Sequence, residues 1–403
     1  MKGQHVLAPR TLAHQGLRPS TVGYPRWLLV CGLVAAALSL VSCTIHRLPD
    51  VQASECSTPQ AAALWNCLDL IPRRPERSES AFVSTLRAGS PVRKMSDQKL
   101  PCSCKGKVPE GFSRLDAESP GGRAPLHALF TPPHEKSGPI VIVVHGIFDS
   151  KFTKYIEVTA ELLRRQGFGV LAPDMRWHGC LLGKEWLPTL GIEEGKDLVE
   201  WARFLKRDYP SSPVGLVGFS LGGLSVLHAL GSAEGHDAFE AGGIAVCPAS
   251  GLPFTMRGLD DFAYLADRGL NGVFRAAFRH YLKQRLKTLE VKPEKSRLFA
   301  AFLDWLVGQP PFGSGWTTRR LLEEADPAPI AMKTRRPTLV LTTSNDPIIS
   351  IVGSSELERA ATDNAYLHVV RTPQGGHIGQ IGLWPQWFGD TLSTFFRYSP
   401  DVP

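Results

Sequence analysis

Five β-branched residues in succession, Ile140 to Val144 (IVIVV), constrain the fold of this chain more than any other feature of its sequence. A strand with one face in water alternates polar and apolar side chains. This run is apolar at every position, so both of its faces must be covered. A mostly parallel sheet with helices packed on both faces meets that requirement.

Further short apolar runs follow along the chain, at residues 124–130, 169–172, 214–218, 243–247, 338–342 and 366–370. Amphipathic segments, which predict helices, lie between these runs or after the last one. They are residues 155–165, 193–207, 221–230, 354–361 and 386–396. The alternation predicts an α/β fold with a mostly parallel sheet and helices on both faces.

One stretch interrupts this alternation, because no clear strand occurs between Ser250 and Arg336. The stretch is too long for a plain crossover connection. Apolar residues recur in it at roughly helical spacing between Phe262 and Leu286, which predicts a helical cap insertion at about residues 250–336. Basic residues punctuate the same helices, and a solvated face explains them better than a membrane-binding one.

The N-terminal part has the composition of an export signal. Residues 27–42 carry no charged side chain, and Arg10, Arg18 and Arg26 precede them. The apolar run is shorter than the roughly 20 residues that comfortably span a bilayer, which favours a cleaved signal over a permanent membrane helix.

Residues 40–43 (LVSC) resemble a bacterial lipobox and make Cys43 a candidate for lipidation. The alternative is an uncleaved membrane anchor with an unmodified Cys43. Either alternative predicts an exported protein attached to a membrane in the cell envelope.

The predicted organisation therefore has three parts. Residues 1–42 are a signal sequence or membrane anchor, residues 43–105 a linker or extension, and residues 106–403 the folded domain with its cap. The extension is rich in Pro, Ser and Arg and lacks a sustained helical or strand period, apart from a short helix that is conceivable around residues 61–70.

Charge and cysteine content narrow the classes of partner. The net charge of +7 comes from scattered basic residues without a nucleic-acid-binding motif, so no nucleic acid is expected. Six cysteines follow Cys43, and disulfides are expected in an oxidising compartment, with Cys56 to Cys67 as the first pairing to test. Cys102 and Cys104 lack the second ligand pair that a zinc site needs, so no metal site is predicted.

The segment Gly218-Phe219-Ser220-Leu221-Gly222-Gly223 carries the strongest chemical signal. It follows an apolar strand and opens a helical run, which predicts a tight turn that raises the hydroxyl of Ser220 above the sheet edge. Small residues at 218 and 222 are needed there because side chains would collide with neighbouring backbone. The plainer alternative treats the glycines as turn residues and Ser220 as a helix N-cap.

A serine nucleophile needs a base and a group that orients the base. His377 follows Gly375 and Gly376 in the loop after the last predicted strand, and Asp346 follows the strand at residues 338–342. Carboxyl ends of parallel strands are where ligands bind in open α/β sheets. Asp346 could instead form an Asx turn ahead of Pro347, and Asp174, which also ends a strand, is the main rival acid.

Backbone amides must also stabilise the oxyanion of an acyl transfer. The sequence His145-Gly146-Ile147-Phe148 directly follows the IVIVV strand. We assign the amides of Ile147 and Leu221 to the oxyanion hole, with Phe148 as an alternative donor. His145 is then a structural turn residue.

At this point the sequence resembles the α/β-hydrolase superfamily over about residues 110–398, through VVHG, APDMRWHG, VGFSLGG, LVLTTSNDP and QGGHIGQ. The chain order Ser220, Asp346, His377 is the order of nucleophile, acid and histidine in these enzymes. The turn APDMRWHG departs from the family pattern, since Trp177 replaces a usual glycine.

The resemblance implies an α/β-hydrolase fold and a serine hydrolase of the esterase, lipase or thioesterase type. Such an enzyme cleaves a carboxylester or related acyl bond, on a small-molecule or lipid-like substrate, without a cofactor. An acyltransferase with the same triad and a catalytically inactive binding protein remain as alternatives.

Overall fold

The computed structural model describes residues 61–71, 106–118, 125–181, 186–260 and 297–397, with a few single positions between 279 and 291. The predicted signal sequence, Cys43 and the middle of the cap lie outside the described residues. None of the helices in the described ranges is long and apolar enough to span a membrane.

An eight-stranded sheet forms the centre of the described part, in the order β1-β2-β4-β3-β5-β6-β7-β8. Strands β1 and β2 pair in antiparallel fashion, as do β2 and β4, and every other neighbouring pair is parallel. The strands are β1 Ser113–Ala117, β2 Leu126–Thr131, β3 Ile140–Val144, β4 Gly169–Pro173, β5 Val214–Phe219, β6 Gly243–Val246, β7 Thr338–Thr343 and β8 Leu367–Thr372.

The helices follow in chain order, and a short 3₁₀ turn lies at Gly179–Leu181. They are α1 Ala61–Leu70, α2 Lys154–Arg165, α3 Ile192–Asp208, α4 Leu221–Leu230, α5 Ala233–Ala238, α6 Leu252–Asp260, α7 Leu298–Leu306, α8 Thr318–Glu324, α9 Pro327–Ala331, α10 Ile351–Thr362, α11 Gln380–Leu383 and α12 Pro385–Arg397. The predicted α/β-hydrolase fold is confirmed, with α6 to α9 and the helical positions 279–280, 282–283 and 286–287 inside the predicted cap region.

Two hydrophobic cores, one on each face of the sheet, explain the uninterrupted apolar run of β3. Ile140, Ile142 and Val144 point into a core shared with α3, α4 and α7. Val141 and Val143 point into the other core, with α1, α2 and α12. All five side chains are fully buried. The strand is therefore covered on both faces, as its composition requires.

The short helix α1 packs closely on the sheet although it lies in the predicted extension. Leu64 and Leu68 are buried in the core beneath α12. The indole N–H of Trp65 donates to the carbonyl of Ala365 at 3.0 Å, and the Trp65 ring stacks on His368 of β8. This part of the extension consequently belongs to the packed structure.

Cysteine pairing agrees with the expectation of disulfides. Cys67 and Cys180 are disulfide-bonded, whereas Cys247 is a buried free thiol. The pairing of Cys56 with Cys67 stays a prediction.

Candidate active site

Ser220 occupies the sharp turn between β5 and α4. Its backbone has φ 55° and ψ −115°, a conformation that side-chain-bearing residues rarely adopt. The turn is held by hydrogen bonds from Ser220 N to Val246 O at 2.9 Å and from Leu224 N to Ser220 O at 3.0 Å. The hydroxyl caps no amide of the helix, so the N-cap alternative does not account for this serine. Ser220 is 8% exposed.

Two glycines make this turn sterically feasible. A Cβ on Gly218 would lie 2.2 Å from the carbonyl oxygen of Gly222. A Cβ on Gly222 would lie 2.5 Å from the carbonyl oxygen of His145. Any side chain at either position would therefore push the Ser220 turn or the loop after β3 out of place, which is the collision predicted from the sequence.

His377 and Asp346 form a buried hydrogen-bonded pair. Nδ1 of His377 lies 2.8 Å from Oδ2 of Asp346, and the two side chains are 6% and 4% exposed. The other carboxylate oxygen, Oδ1, accepts the amides of Ile348 at 2.8 Å and Ile349 at 2.9 Å. Asp346 thus makes the local turn that the sequence suggested as an alternative and orients the imidazole at the same time.

The loop that carries His377 is held against the end of β7. Gly375 has a φ of 141° and Gly376 a φ of 57°. Only glycine adopts the first of these values easily. The amide of Gly376 donates to Oδ1 of Asn345 at 2.8 Å, and its carbonyl accepts the hydroxyl of Thr343 at 2.7 Å. These bonds turn the imidazole toward the strand that carries Asp346.

The topology brings these groups to one edge of the sheet. Strands β5, β6, β7 and β8 are consecutive neighbours and all parallel. Ser220, Asp346 and His377 each follow one of these strands at its carboxyl end. Cys247 follows β6, which lies between β5 and β7 in the sheet.

Cys247 forms a compact group with Asp346 and His377, in which one potential metal ligand atom of each lies within 4.8 Å of the others. Burial raises the pKa of the Cys247 thiol far above its usual range, and the charge of Asp346 adds to this. A metal would require the thiolate, and Nδ1 of His377 is already engaged with Asp346. A hydrogen-bonded cluster therefore explains these residues better than a metal site.

The loop after β3 approaches Ser220 closely. A Cβ on Gly146 would lie 3.3 Å from Cβ of Ser220. The amides of Ile147 and Leu221, both assigned to the oxyanion hole, donate to no residue in the described part of the chain. The alternative donor Phe148 is wrong, because its amide is already bound to Nε2 of His178 at 2.8 Å.

Asp174, the rival acid, is committed elsewhere. Its buried carboxylate pairs with the ammonium group of Lys151 and accepts the amides of Lys151 at 3.0 Å and Cys180 at 2.9 Å. Asp174 follows β4, and its carboxylate already binds these three donors. It is therefore not available to His377. Asp346 is therefore the acid that meets the imidazole.

Trp177 keeps the turn after β4 although it replaces a glycine of the family pattern. It adopts φ 63°, in the region that glycine favours. Its indole is buried and stacks on Phe302 of the cap helix α7, with ring centroids 5.5 Å apart. Packing against the cap thus offsets the cost of the unusual backbone conformation.

A strained serine turn and a His–Asp pair at the carboxyl edge of a mostly parallel sheet are the arrangement of an α/β hydrolase. The chain belongs to the alpha/beta hydrolase family, whose model matches residues 141–387. No curated protein matches the sequence.

Solved structures that are similar to this chain come from several organisms. Esterase Pf2001 of Pyrococcus furiosus has a TM-score of 0.52 and 19% identity, over 74% of this chain and 96% of that chain. Est1E from Butyrivibrio proteoclasticus, bound to ferulic acid, has a TM-score of 0.45 and 16% identity, over 70% of this chain and 96% of that chain. A puromycin-hydrolyzing peptidase of Mycobacterium tuberculosis has a TM-score of 0.49 and 18% identity, over 72% of this chain and 40% of that chain. At these identities the likeness concerns the fold alone.

Proposed function

We propose that this protein is a serine esterase that cleaves a carboxylester or related acyl bond through an acyl-enzyme intermediate on Ser220. The observation that carries the proposal is the 2.8 Å hydrogen bond between His377 and Asp346, at the sheet edge where the strained turn presents Ser220. Because Nδ1 faces the carboxylate, Nε2 is the nitrogen that exchanges a proton with the serine in the proposed mechanism.

The reaction follows from these roles. Oγ of Ser220 attacks the acyl carbonyl carbon while Nε2 of His377 takes the hydroxyl proton. The amides of Ile147 and Leu221 stabilise the oxyanion, since both are fixed before the reaction begins. The tetrahedral intermediate collapses, the bond to the alcohol breaks, and the imidazolium returns its proton to the leaving oxygen. A water molecule, deprotonated by His377, then releases the acid and regenerates Ser220.

Hydrolysis of short nitrophenyl esters by purified variants tests this proposal. Ser220→Ala and His377→Ala each lower kcat by at least about 10⁴-fold, because the nucleophile or its base is lost. Ser225→Ala is the matched control, since this buried serine lies on α4 and its hydroxyl bonds to Leu221 O at 2.8 Å and to Sδ of Met175 at 3.9 Å. Retained turnover in a folded Ser220→Ala protein would refute the proposal.

The orienting role of Asp346 has a separate test. Asp346→Asn keeps the size of the side chain but offers an amide to Nδ1, which favours the wrong tautomer of His377. We expect kcat to fall by about 10³- to 10⁴-fold, with little change in the folded fraction. An unchanged kcat would show that another group orients the imidazole.

Attachment to the cell envelope is a further part of this proposal and rests on the N-terminal sequence alone. Fractionation of cells that express the full chain, compared with Cys43→Ala, tests it. Loss of the protein from the membrane fraction in the variant supports lipidation at Cys43. Equal membrane association favours an uncleaved anchor, and a freely released protein in both cases would contradict attachment.

A further inference from the structure

Two buried histidines join the loop after β3 to the loop after β4 by reciprocal hydrogen bonds. The amide of Phe148, in the first loop, donates to Nε2 of His178, in the second, at 2.8 Å. The amide of Met175, in the second loop, donates to Nε2 of His145, in the first, at 3.1 Å. Both histidines are fully buried, and their rings meet edge to face with centroids 5.1 Å apart.

The remaining ring nitrogens define the protonation state of this pair. Nδ1 of His178 lies 2.7 Å from the carbonyl oxygen of Arg176, and Nδ1 of His145 lies 2.8 Å from that of Gly146. A carbonyl oxygen only accepts hydrogen bonds, so each Nδ1 carries a proton. Each Nε2 faces an amide N–H and must be unprotonated, and both imidazoles are therefore neutral.

The surroundings of His145 agree with a neutral ring. Burial lowers its pKa below the ordinary value, and the charge of Lys151 acts in the same direction, against Asp174 and the bond to Gly146. A proton on Nε2 would place two N–H groups face to face and break the contact with Met175.

Anchored amides flank the position of Ile147. The amide before it, of Gly146, donates to the hydroxyl of Tyr155 at 2.7 Å, and the amide after it, of Phe148, donates to His178. Only the middle amide of this turn is left for another acceptor, and both of its neighbours are anchored. Phe148 has φ 65°, so this turn is strained and needs such anchors.

We propose that His145 and His178 are positioning residues that hold the Ile147 amide in place as an oxyanion donor. The inference rests on the proposed function, because the oxyanion forms only if Ser220 attacks an acyl carbonyl carbon. It adds a specific claim, that the hydrogen-bond acceptor at position 178 controls the chemical step without contact to substrate. Truncating it frees the Phe148 amide and lets the turn move away from Ser220.

Substitutions at position 178 test the claim through the split between kcat and KM. His178→Leu removes the acceptor and keeps most of the volume, and we expect kcat to fall by about 10- to 100-fold with KM nearly unchanged. His178→Gln supplies an oxygen acceptor and recovers most of this loss. Affinity for a phenylboronic acid, which forms a tetrahedral adduct with the serine, falls with kcat in His178→Leu.

His228 provides the matched control. It is a mostly buried histidine on α4 whose ring donates to the carbonyl of Ala325 at 3.2 Å, away from the loop after β3. His228→Leu therefore leaves kcat close to that of the unchanged protein. A purely structural role of His178 would lower the thermal midpoint in both variants and leave kcat of the folded fraction intact, and that result would overturn the inference.

Two further measurements separate failure of this inference from failure of the proposed function. Labelling of the unchanged protein at Ser220 by a fluorophosphonate tests the function first. If the protein is labelled and hydrolyses esters, but a folded His178→Leu protein matches its kcat, the inference alone fails. If the variant does not fold, nitrogen NMR of the unchanged protein decides. A proton on Nδ1 of both histidines supports the inference, and a proton on either Nε2 contradicts it.

Discussion

Tyr155 shows how one side chain outside the sequence motifs supports the candidate site. Its hydroxyl accepts the amide of Gly146 at 2.7 Å and donates to Oδ2 of Asp149 at 2.7 Å. Burial raises the pKa of this phenol well above its ordinary value, and the charge of Asp149 adds to the effect. The phenol is consequently neutral at neutral pH, and it can both accept and donate.

Removing this hydroxyl should destabilise the protein. Tyr155→Phe removes the acceptor of the buried Gly146 amide and the donor to Oδ2 of Asp149, which costs about 1–3 kcal/mol of unfolding free energy. Urea denaturation measures the change. Tyr209→Phe is the control, since the Tyr209 hydroxyl bonds to no residue in the described part of the chain. Equal losses in the two variants would contradict the role given to Tyr155.

Residues in short motifs could be predicted, whereas those that act across the fold could not. Ser220, Asp346 and His377 each follow a predicted strand, so their place at the sheet edge follows from local pattern and topology. Tyr155 lies within an ordinary amphipathic helix, and its partners Gly146 and Asp149 come from the preceding loop. No spacing in the sequence reveals that the helix turns this hydroxyl toward the loop.

At the scale of elements, the central strands and large helices agree with prediction because their apolar patterns are strong. Strand β1 was missed because its residues, SRLDA, are mostly exposed and alternate weakly. Its pairing with β2 makes it a strand, and that pairing is a tertiary contact. Helix α1 was only a minor expectation, and its burial against α12 could not be read from a polar extension.

The packing of α1 makes a quantitative prediction. Leu64 is fully buried, so Leu64→Ala opens a cavity and should cost about 2–5 kcal/mol of unfolding free energy. Asn66→Ala, at an exposed position of the same helix, should cost little. Chemical denaturation of both variants provides the test. A loss of less than about 0.5 kcal/mol for Leu64→Ala would mean that α1 does not contribute to the core.

For the whole molecule, buried neutral histidines predict acid sensitivity. Burial lowers the pKa of His228 from 6.5 to about 4, so the unfolded chain binds a proton more readily than the folded one. The stabilisation is complete above pH 6.5 and is lost as the pH falls toward 4. At about 1.4 kcal/mol per pH unit, the loss amounts to about 3 kcal/mol. His145 acts in the same direction.

Comparison with a non-titrating variant isolates this contribution. His228→Gln keeps a donor for the Ala325 carbonyl but binds no proton, so its unfolding free energy should fall less steeply between pH 6.5 and 4. Urea midpoints across this range measure the slopes. Identical slopes for the two proteins would contradict the lowered pKa.

The central claim is that Ser220 carries the acyl group, and mass spectrometry of the protein quenched during turnover of a nitrophenyl ester tests it most directly. We predict an added acyl mass on the peptide that contains Ser220, and no such mass in Ser220→Ala. In a protein with His377 replaced, this mass accumulates only if Ser220 still attacks the ester at a low rate. Turnover at the normal rate with the acyl mass on another residue would contradict the account.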